Sequence, residues 1–194
     1  VDISIDKMNR EKNLDVFKES FATLTGGSAA VAYILCEGDL LKTKGHRFVA
    51  GANASAPQFH KLCRWGIETG FKSEPSRALQ FMSTDAVGVL ENGVVLGEKT
   101  WKYFLEESGW TSASIDRTIC HQVGSAHRKT ILNSIGVCAE DDFVAYDFLG
   151  NTGTVALPLA AALADERGFL EEGHKVGFLG IGSGLNCLML GVEW

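Results

Sequence analysis

HKVGFLGIGSGLNCLMLGVEW, residues 174–194, carries the pattern that decides the fold. Two apolar runs flank the glycine-rich GIGSG at 180–184, and this arrangement predicts two strands joined by a tight turn. The turn does not match a dinucleotide-binding loop, because the third glycine of G-x-G-x-x-G would fall at Leu185. Free N–H groups in such a turn can stabilise an oxyanion, and a plain hairpin is the alternative.

Upstream of this hairpin, strand-like and helical patterns alternate. We predict strands over 23–37, 46–54 and 115–123, a strand-like segment over 142–150, and helices from Ser83 to Gly109, over 124–137 and from about Gly153 to Gly168. Residues 56–80 are interpreted as a loop or lid, and the residues before 23 as a polar connection. The order predicts an α/β fold, a mixed sheet with helices on its faces.

The composition is that of a globular chain with a large core. Hydrophobic residues make up 45% of the 194 residues, and the net charge of −6 comes without a basic tract, so nucleic acid is not expected as a partner. Two uncharged runs, 148–164 and 176–192, are interrupted by glycine and are interpreted as buried core, not a membrane span. The chain opens on Val1, which suggests that an upstream piece is absent; a processed N-terminus is the alternative.

The cysteines and histidines show no metal-ligand or disulfide pattern. Five scattered cysteines without a C-x-x-C pair indicate reduced thiols and a cytoplasmic location, and no metal is expected. Cys120 precedes His121 in a strand, so their side chains should point to opposite faces, and we predict that Cys120 lies in the core. His127, six residues further on, is predicted to lie on the surface of a helix.

Three stretches stand where predicted elements meet: CHQ at 120–122, GNTG at 150–153 and GIGSG at 180–184. Reactive side chains of α/β sheets collect at such strand ends. His121 offers an orientable imidazole, with a purely structural histidine as the alternative. Asn151 offers an amide that does not titrate, with a helix cap as the alternative.

Taken together and in this order, CHQ, GNTG, LPLA at 157–160 and the GIGSGLNC ending resemble the C-terminal half of the thiolase-fold condensing enzymes. The most similar branches are ketoacyl-ACP synthase III and the acyl-CoA head-to-head condensing enzymes of olefin biosynthesis, and CHQVG favours the second. The resemblance is sharpest over 115–194 and looser over 23–37, which would be the last strand of the N-terminal half. It implies that residues 1–44 end that half and that residues 45–194 form the C-terminal half.

The resemblance also implies a function and a site. His121 and Asn151 would belong to a Cys-His-Asn set that condenses fatty acyl thioesters to a 3-oxoacyl product, and the backbone amide of Ser183 would be an oxyanion donor. Coenzyme A or acyl carrier protein would carry the substrate, with no permanently bound cofactor. The nucleophilic cysteine of the family has no counterpart in the sequence, so the chain alone should be inactive. A homodimer or a complementary N-terminal half is expected as partner.

Two other functions remain open at this point. One is a non-catalytic thiolase-like subunit that binds acyl chains or a partner, which the lack of the nucleophilic cysteine would favour. The other is a small hydrolase that uses Cys120, which the alternation of side chains along a strand opposes.

Overall fold

The computed structural model describes residues 9, 12–40, 45–71 and 74–194. Six strands are present in this part of the chain: β1 (Arg47–Ser55), β2 (Cys63–Phe71), β3 (Glu74–Thr84), β4 (Arg117–Cys120), β5 (Lys175–Gly182) and β6 (Asn186–Glu193). Its α-helices are α1 (Leu14–Leu24), α2 (Ala86–Ser108), α3 (Ser125–Ile135), α4 (Tyr146–Leu149) and α5 (Ala156–Glu166). Short 3₁₀ turns lie at 38–40, 57–62, 112–114, 139–141 and 153–155.

Four strands form a mixed sheet in the order β1-β6-β5-β4. The β5–β6 pair is the antiparallel hairpin predicted from the sequence, and its register closes at Gly182 opposite Asn186. β4 runs parallel to β5, with Cys120 opposite Leu179, so the C-terminal ends of these two strands share one edge of the sheet. Two backbone hydrogen bonds between Leu185 and Ala56 fasten the hairpin turn to the segment after β1.

Helices cover both faces of this sheet, as the sequence predicts. α2 and α3 pack on one face around Phe104 and Leu132, and α5 packs on the other through Ala160 and Ala164. Side chains of successive strand residues alternate between the two cores. In β4, Ile119 belongs to the core under α5, whereas Cys120 belongs to the core under α2 and α3.

The boundaries of α2 differ slightly from the prediction. The helix begins at Ala86, because β3 extends through Thr84, and its N-cap is Asp85, whose carboxylate accepts a hydrogen bond from the Gly88 N–H. It ends at Ser108, and its C-cap Gly109 adopts a left-handed conformation with φ of 67°.

Two segments between the sheet strands differ from the sequence-based interpretation. Residues 56–80 are not a loop or lid: they form the 3₁₀ turn at 57–62 and most of the antiparallel β2–β3 hairpin. Residues 142–150 are not strand-like: a single bridge joins Asp142 to Thr118, and the chain then turns into the short helix α4. For residues 142–150 the outcome depends on partners distant in sequence, whereas β2 and β3 are consecutive strands.

The N-terminal region also differs. The predicted polar connection contains helix α1, whose N-cap Asn13 accepts a hydrogen bond from the Asp15 N–H. The strand predicted over 23–37 does not form; within the described residues, the pairing there is a single bridge between Gly26 and Asn151. An extended segment becomes a strand only when a neighbour takes up its N–H and C=O groups, and the described chain places no such neighbour beside 28–37.

Candidate active site

His121 follows directly after β4, at the edge of the sheet where β4 and β5 end. Its N–H donates to the carbonyl oxygen of Leu179 at 2.9 Å, which continues the strand pairing by one residue. The ring is half-buried and has no hydrogen-bond partner among the described residues. Burial, and to a smaller extent the nearby His127, lower the pKa of His121 below its ordinary value. The imidazole is therefore neutral at neutral pH and keeps one N–H to donate.

His127 does not lie on the surface as the sequence suggested. It stands in the first turn of α3 and is only partly exposed, and its Nε2 is buried without a hydrogen-bond partner among the described residues. Burial lowers its pKa as well. Side chains in a helix tilt toward the N-terminus, and this tilt directs a first-turn histidine back toward the loop that carries His121.

Asn151 lies two residues beyond α4, and its backbone is hydrogen-bonded to residues 25–27. Its N–H donates to Thr25 O at 2.8 Å, and its carbonyl oxygen accepts from the Gly27 N–H at 2.9 Å. Its side-chain Oδ1 accepts from the Gly153 N–H at 2.9 Å, and this bond fixes the orientation of the amide. Asn151 is not the cap of α5, whose N-cap is Val155. Within the described residues, Nδ2 has no partner and remains a donor.

Two glycines allow the close approach of residues 25–27 to residues 149–151. A Cβ on Gly27 would collide with the carbonyl oxygen of Leu149. Gly150 has a φ of 67°, and a Cβ there would lie 2.5 Å from the carbonyl oxygen of Thr25. Glycine at both positions is therefore a condition for the backbone pairing that holds Asn151.

Ser183 lies in the β5–β6 turn, on the same edge of the sheet as His121. Gly180 is level with His121 in the parallel pair, so Ser183 stands three residues, roughly 10 Å, further along β5. Its carbonyl oxygen accepts from Asn186 Nδ2 at 2.9 Å. The described part of the chain contains no acceptor for the Ser183 N–H, which leaves that group available to a ligand.

A polar network that the sequence analysis did not anticipate supports the strand end under His121. The buried Asp142 accepts from the Cys120 N–H at 2.9 Å and from Thr118 Oγ1 at 3.0 Å, and its other oxygen accepts from Arg128 Nε at 2.6 Å. Gln122, only 2% exposed, bonds both the end of β4 and the start of α4. The loops that carry His121 and Asn151 are thereby attached to each other.

The cysteine side chains do not favour the hydrolase alternative. Cys120 is buried, as predicted, and burial followed by the charge of Asp142 raises its pKa well above the ordinary value. Burial also raises the pKa of Cys187. A thiol with a raised pKa is a poor nucleophile at neutral pH. Across the described ranges, no group of three or more His, Cys, Asp or Glu side chains could hold a metal ion.

Comparison with known families places the site in context. The family model for the C-terminal domain of 3-oxoacyl-[acyl-carrier-protein] synthase III matches residues 105–194, a range that includes all three site residues.

None of the described helices has both the length and the apolar character that crossing a membrane requires.

Among curated proteins, the chain is 47% identical over its whole length to the acyl-CoA:acyl-CoA alkyltransferase of Shewanella oneidensis, covering 55% of that protein. It is 30% identical to the enzyme of the same name from Xanthomonas campestris, over 92% of this chain and 49% of the relative. The chain thus spans about half the length of the curated relatives it matches.

Solved structures also match most of this chain over about half of their own length. Xanthomonas campestris OleA with bound lauric acid and lauroyl-CoA matches 94% of this chain with a TM-score of 0.77 and 28% identity, and the match covers 50% of that structure. A cysteine-to-alanine variant of the same protein matches the whole of this chain with a TM-score of 0.79 and 27% identity, over 54% of its own length.

Proposed function

Because this chain is the C-terminal half of a thiolase-like fold and carries a 3-oxoacyl-ACP synthase III C-terminal domain, we propose that it forms part of an acyltransferase that joins two fatty acyl thioesters by Claisen condensation. The product is a 3-oxoacyl thioester. The names of the two alkyltransferase relatives favour coenzyme A over acyl carrier protein as the carrier of both acyl groups.

The observation that carries this proposal is a pair of free donors on two attached loops. The His121 ring is held neutral by its burial, and Asn151 presents Nδ2 because its Oδ1 is already bonded. In the proposed site, both groups donate to the carbonyl oxygen of the second thioester. Negative charge grows on that oxygen as a basic group of the complementary half takes up the α-proton, and each donor that meets the oxygen lowers the barrier by about 3 kcal/mol.

The Ser183 N–H serves the other carbonyl. The first acyl group is carried as a thioester on a cysteine, after its transfer to the thiol has released coenzyme A. The enolate carbon of the second substrate attacks this acyl carbon and forms the carbon–carbon bond. The carbonyl oxygen becomes an oxyanion, the Ser183 amide donates to it, and the cysteine thiolate leaves when the C–S bond breaks.

We infer that a complementary N-terminal half supplies this cysteine and that the chain alone does not condense thioesters. Cys120 and Cys187 are buried with raised pKa values, and the relatives are nearly twice as long as this chain. Tyr33, Ile34 and Leu35, in the region before β1, are exposed by 71%, 91% and 71%. Such a run of exposed apolar side chains supports the proposal that the complementary half covers this surface. The assembled enzyme is proposed to be dimeric and, with its free thiols, cytoplasmic.

Reconstitution tests the proposal. The chain is assayed with a long-chain acyl-CoA for coenzyme A release and 3-oxoacyl product, first alone and then co-expressed with the part of the Shewanella oneidensis relative that lies outside the match. We expect activity only in the complex, and a loss of about 10²- to 10³-fold in kcat for His121→Ala or Asn151→Ala, with the melting temperature nearly unchanged. Parent-like condensation by either variant would refute the assigned roles.

The same experiment judges the non-catalytic alternative. The absence of a reactive thiol at the described site favours that alternative, in which the fold is kept for binding acyl chains. A folded complex that retains acyl-CoA but releases no coenzyme A would establish it and would end the proposal of a condensing enzyme.

A further inference from the structure

Gln122 uses every hydrogen-bonding position of its side-chain amide. Nε2 donates to the carbonyl oxygens of Cys120 and Phe143, at 2.7 and 3.2 Å. Oε1 accepts from the N–H groups of Ala145 and Tyr146, at 2.8 and 3.1 Å. An amide has two donors and two lone pairs, so these four bonds satisfy it completely. The opposite orientation would set donors against donors, and so only this one fits.

These bonds connect the two loops that carry the proposed donors. Cys120 is the residue before His121, so its position also fixes the backbone from which the His121 side chain extends. Ala145 and Tyr146 begin α4, and the Gln122 oxygen satisfies N–H groups that the helix itself leaves free. α4 is a single turn that ends at Leu149, so a shift at its start reaches Asn151 directly.

Other attachments leave this role to Gln122. Asp142 and Phe143 bond to β4, but they fix the residues before α4 and not the helix itself. On the far side, Asn151 is held by Thr25 and Gly27. Among the described side chains, only that of Gln122 bonds the N–H groups that begin α4. Its loss would free α4 to tilt while the edge of the sheet stays attached.

We propose that Gln122 is a positioning residue: its side-chain amide locks the loop of Asn151 to the strand end of His121 and thereby sets the distance between the two donors. This inference rests on the proposed function for its kinetic consequence, but its structural part is tested without activity. The four hydrogen bonds of the Gln122 side chain all go to backbone groups, so it acts through its neighbours and not on the substrate.

The kinetic test uses the reconstituted complex with Gln122→Met, which keeps the length of the side chain and removes its hydrogen bonds. We expect kcat to fall about 10- to 100-fold, because a misplaced donor stabilises the transition state less well. KM for acyl-CoA should change by less than about threefold, because the binding surface is intact. The matched control is Ser108→Ala.

Ser108 is a suitable control because its side chain also joins a helix end to the next loop. Its Oγ donates to Phe104 O at 2.7 Å and accepts from the Trp110 N–H at 3.2 Å. It lies at the opposite edge of the sheet, where Lys175 at the start of β5 stands 5.7 Å from the Trp110 ring. Ser108→Ala should therefore lower stability without changing kcat.

Gln122→Glu provides a pH profile that distinguishes positioning from simple loss of stability. An ionised carboxylate would face the carbonyl oxygens of Cys120 and Phe143, whereas the protonated acid restores one donor and both acceptor bonds. We expect kcat of this variant, relative to the parent, to rise as pH falls, while the Ser108→Ala ratio stays flat.

An activity-independent arm completes the test. In ¹⁵N NMR spectra of the same complexes, Gln122→Met should move the Asn151 side-chain amide signals and the titration of the His121 ring, and Ser108→Ala should move neither. If no complex condenses thioesters, the proposed function fails and these signals still decide the role of Gln122. Unchanged signals or a parent-like kcat in Gln122→Met would overturn the inference. Should that variant not fold, a flat pH ratio for Gln122→Glu would overturn it equally.

Discussion

The Arg128–Asp142 pair offers the sharpest test of how the strand end under His121 is stabilised. The Asp142 side chain is fully buried and that of Arg128 is 18% exposed, so both charges are largely removed from water. Besides the 2.6 Å bond to the carboxylate, Arg128 Nη2 donates to the carbonyl oxygens of Asp142 and Ala139. Arg128→Met preserves the bulk of the side chain and removes all of these bonds. We expect it to lower the free energy of unfolding by about 3–5 kcal/mol, because it leaves a buried carboxylate unpaired.

The pH dependence of this loss follows from the charge of Asp142. Burial raises the pKa of Asp142, and Arg128 opposes the rise. The folded state therefore holds more protons than the unfolded state from about pH 3.9 up to the folded pKa, and stability falls as pH rises through that window. Without Arg128 the window extends to higher pH. We expect the cost of Arg128→Met to be smaller at about pH 5 than at about pH 7.5.

A double-mutant cycle measured by guanidinium unfolding provides the assay. Asp142→Asn removes the charge but keeps an oxygen that can accept from the Cys120 N–H and Thr118 Oγ1. The variant with both substitutions should be more stable than Arg128→Met alone, with a coupling energy of about 2 kcal/mol. A cost below about 1 kcal/mol for Arg128→Met, or a double variant less stable than the single one, would refute this account of the pair.

Three further predictions concern neighbouring features. Gly150→Ala should lower the melting temperature more than Gly136→Ala, because both glycines have positive φ but only Gly150 faces a carbonyl oxygen at 2.5 Å; equal losses would show that the close approach is unimportant. The lowered pKa of His121 means that the unfolded state binds more protons than the folded state below about pH 6.5. The free energy of unfolding should therefore fall as pH drops through that value, and it should fall less steeply in His121→Gln. Equal pH dependence of the free energy of unfolding in the two proteins would contradict this. In thiol labelling of the folded protein, Cys138 should react quickly and Cys120 only on unfolding, and early labelling of Cys120 by mass spectrometry would contradict its burial.

Elements with a clear local pattern could be predicted from the sequence. The final hairpin is flanked by apolar runs around glycines, and α2, α3 and α5 have apolar periodicity with glycine at or just beyond their ends. The β2–β3 hairpin was missed because its strands contain glycines, a proline and charged residues in place of regular alternation. α1 was missed although Leu14, Phe17, Phe21 and Leu24 stand at helical spacing, because the many charged residues among them were interpreted as a polar connection.

The site was predictable only in part. The candidate roles of His121 and Asn151 came from a resemblance of short motifs and not from periodicity or spacing. Gln122 and Asp142 gave no local signal. The bond from Arg128 to Asp142 joins residues 14 apart, and the bond from Tyr146 to Gln122 joins residues 24 apart. His127 was misjudged because a helical position alone does not reveal which neighbouring loop will cover it.

The backbone bond between Asn151 N–H and Thr25 O spans most of the chain and constrains the order of folding. The β5–β6 hairpin closes a loop of a few residues, whereas this bond must wait for two distant segments to meet, and such closures are entropically costly and slow. We expect Asn151 to reach its final conformation late, after the β5–β6 hairpin has formed. In pulse-labelled refolding, its amide should gain protection from exchange after those of β5 and β6, so that the chain has a stable scaffold before it has a functional pocket; simultaneous protection would contradict this order.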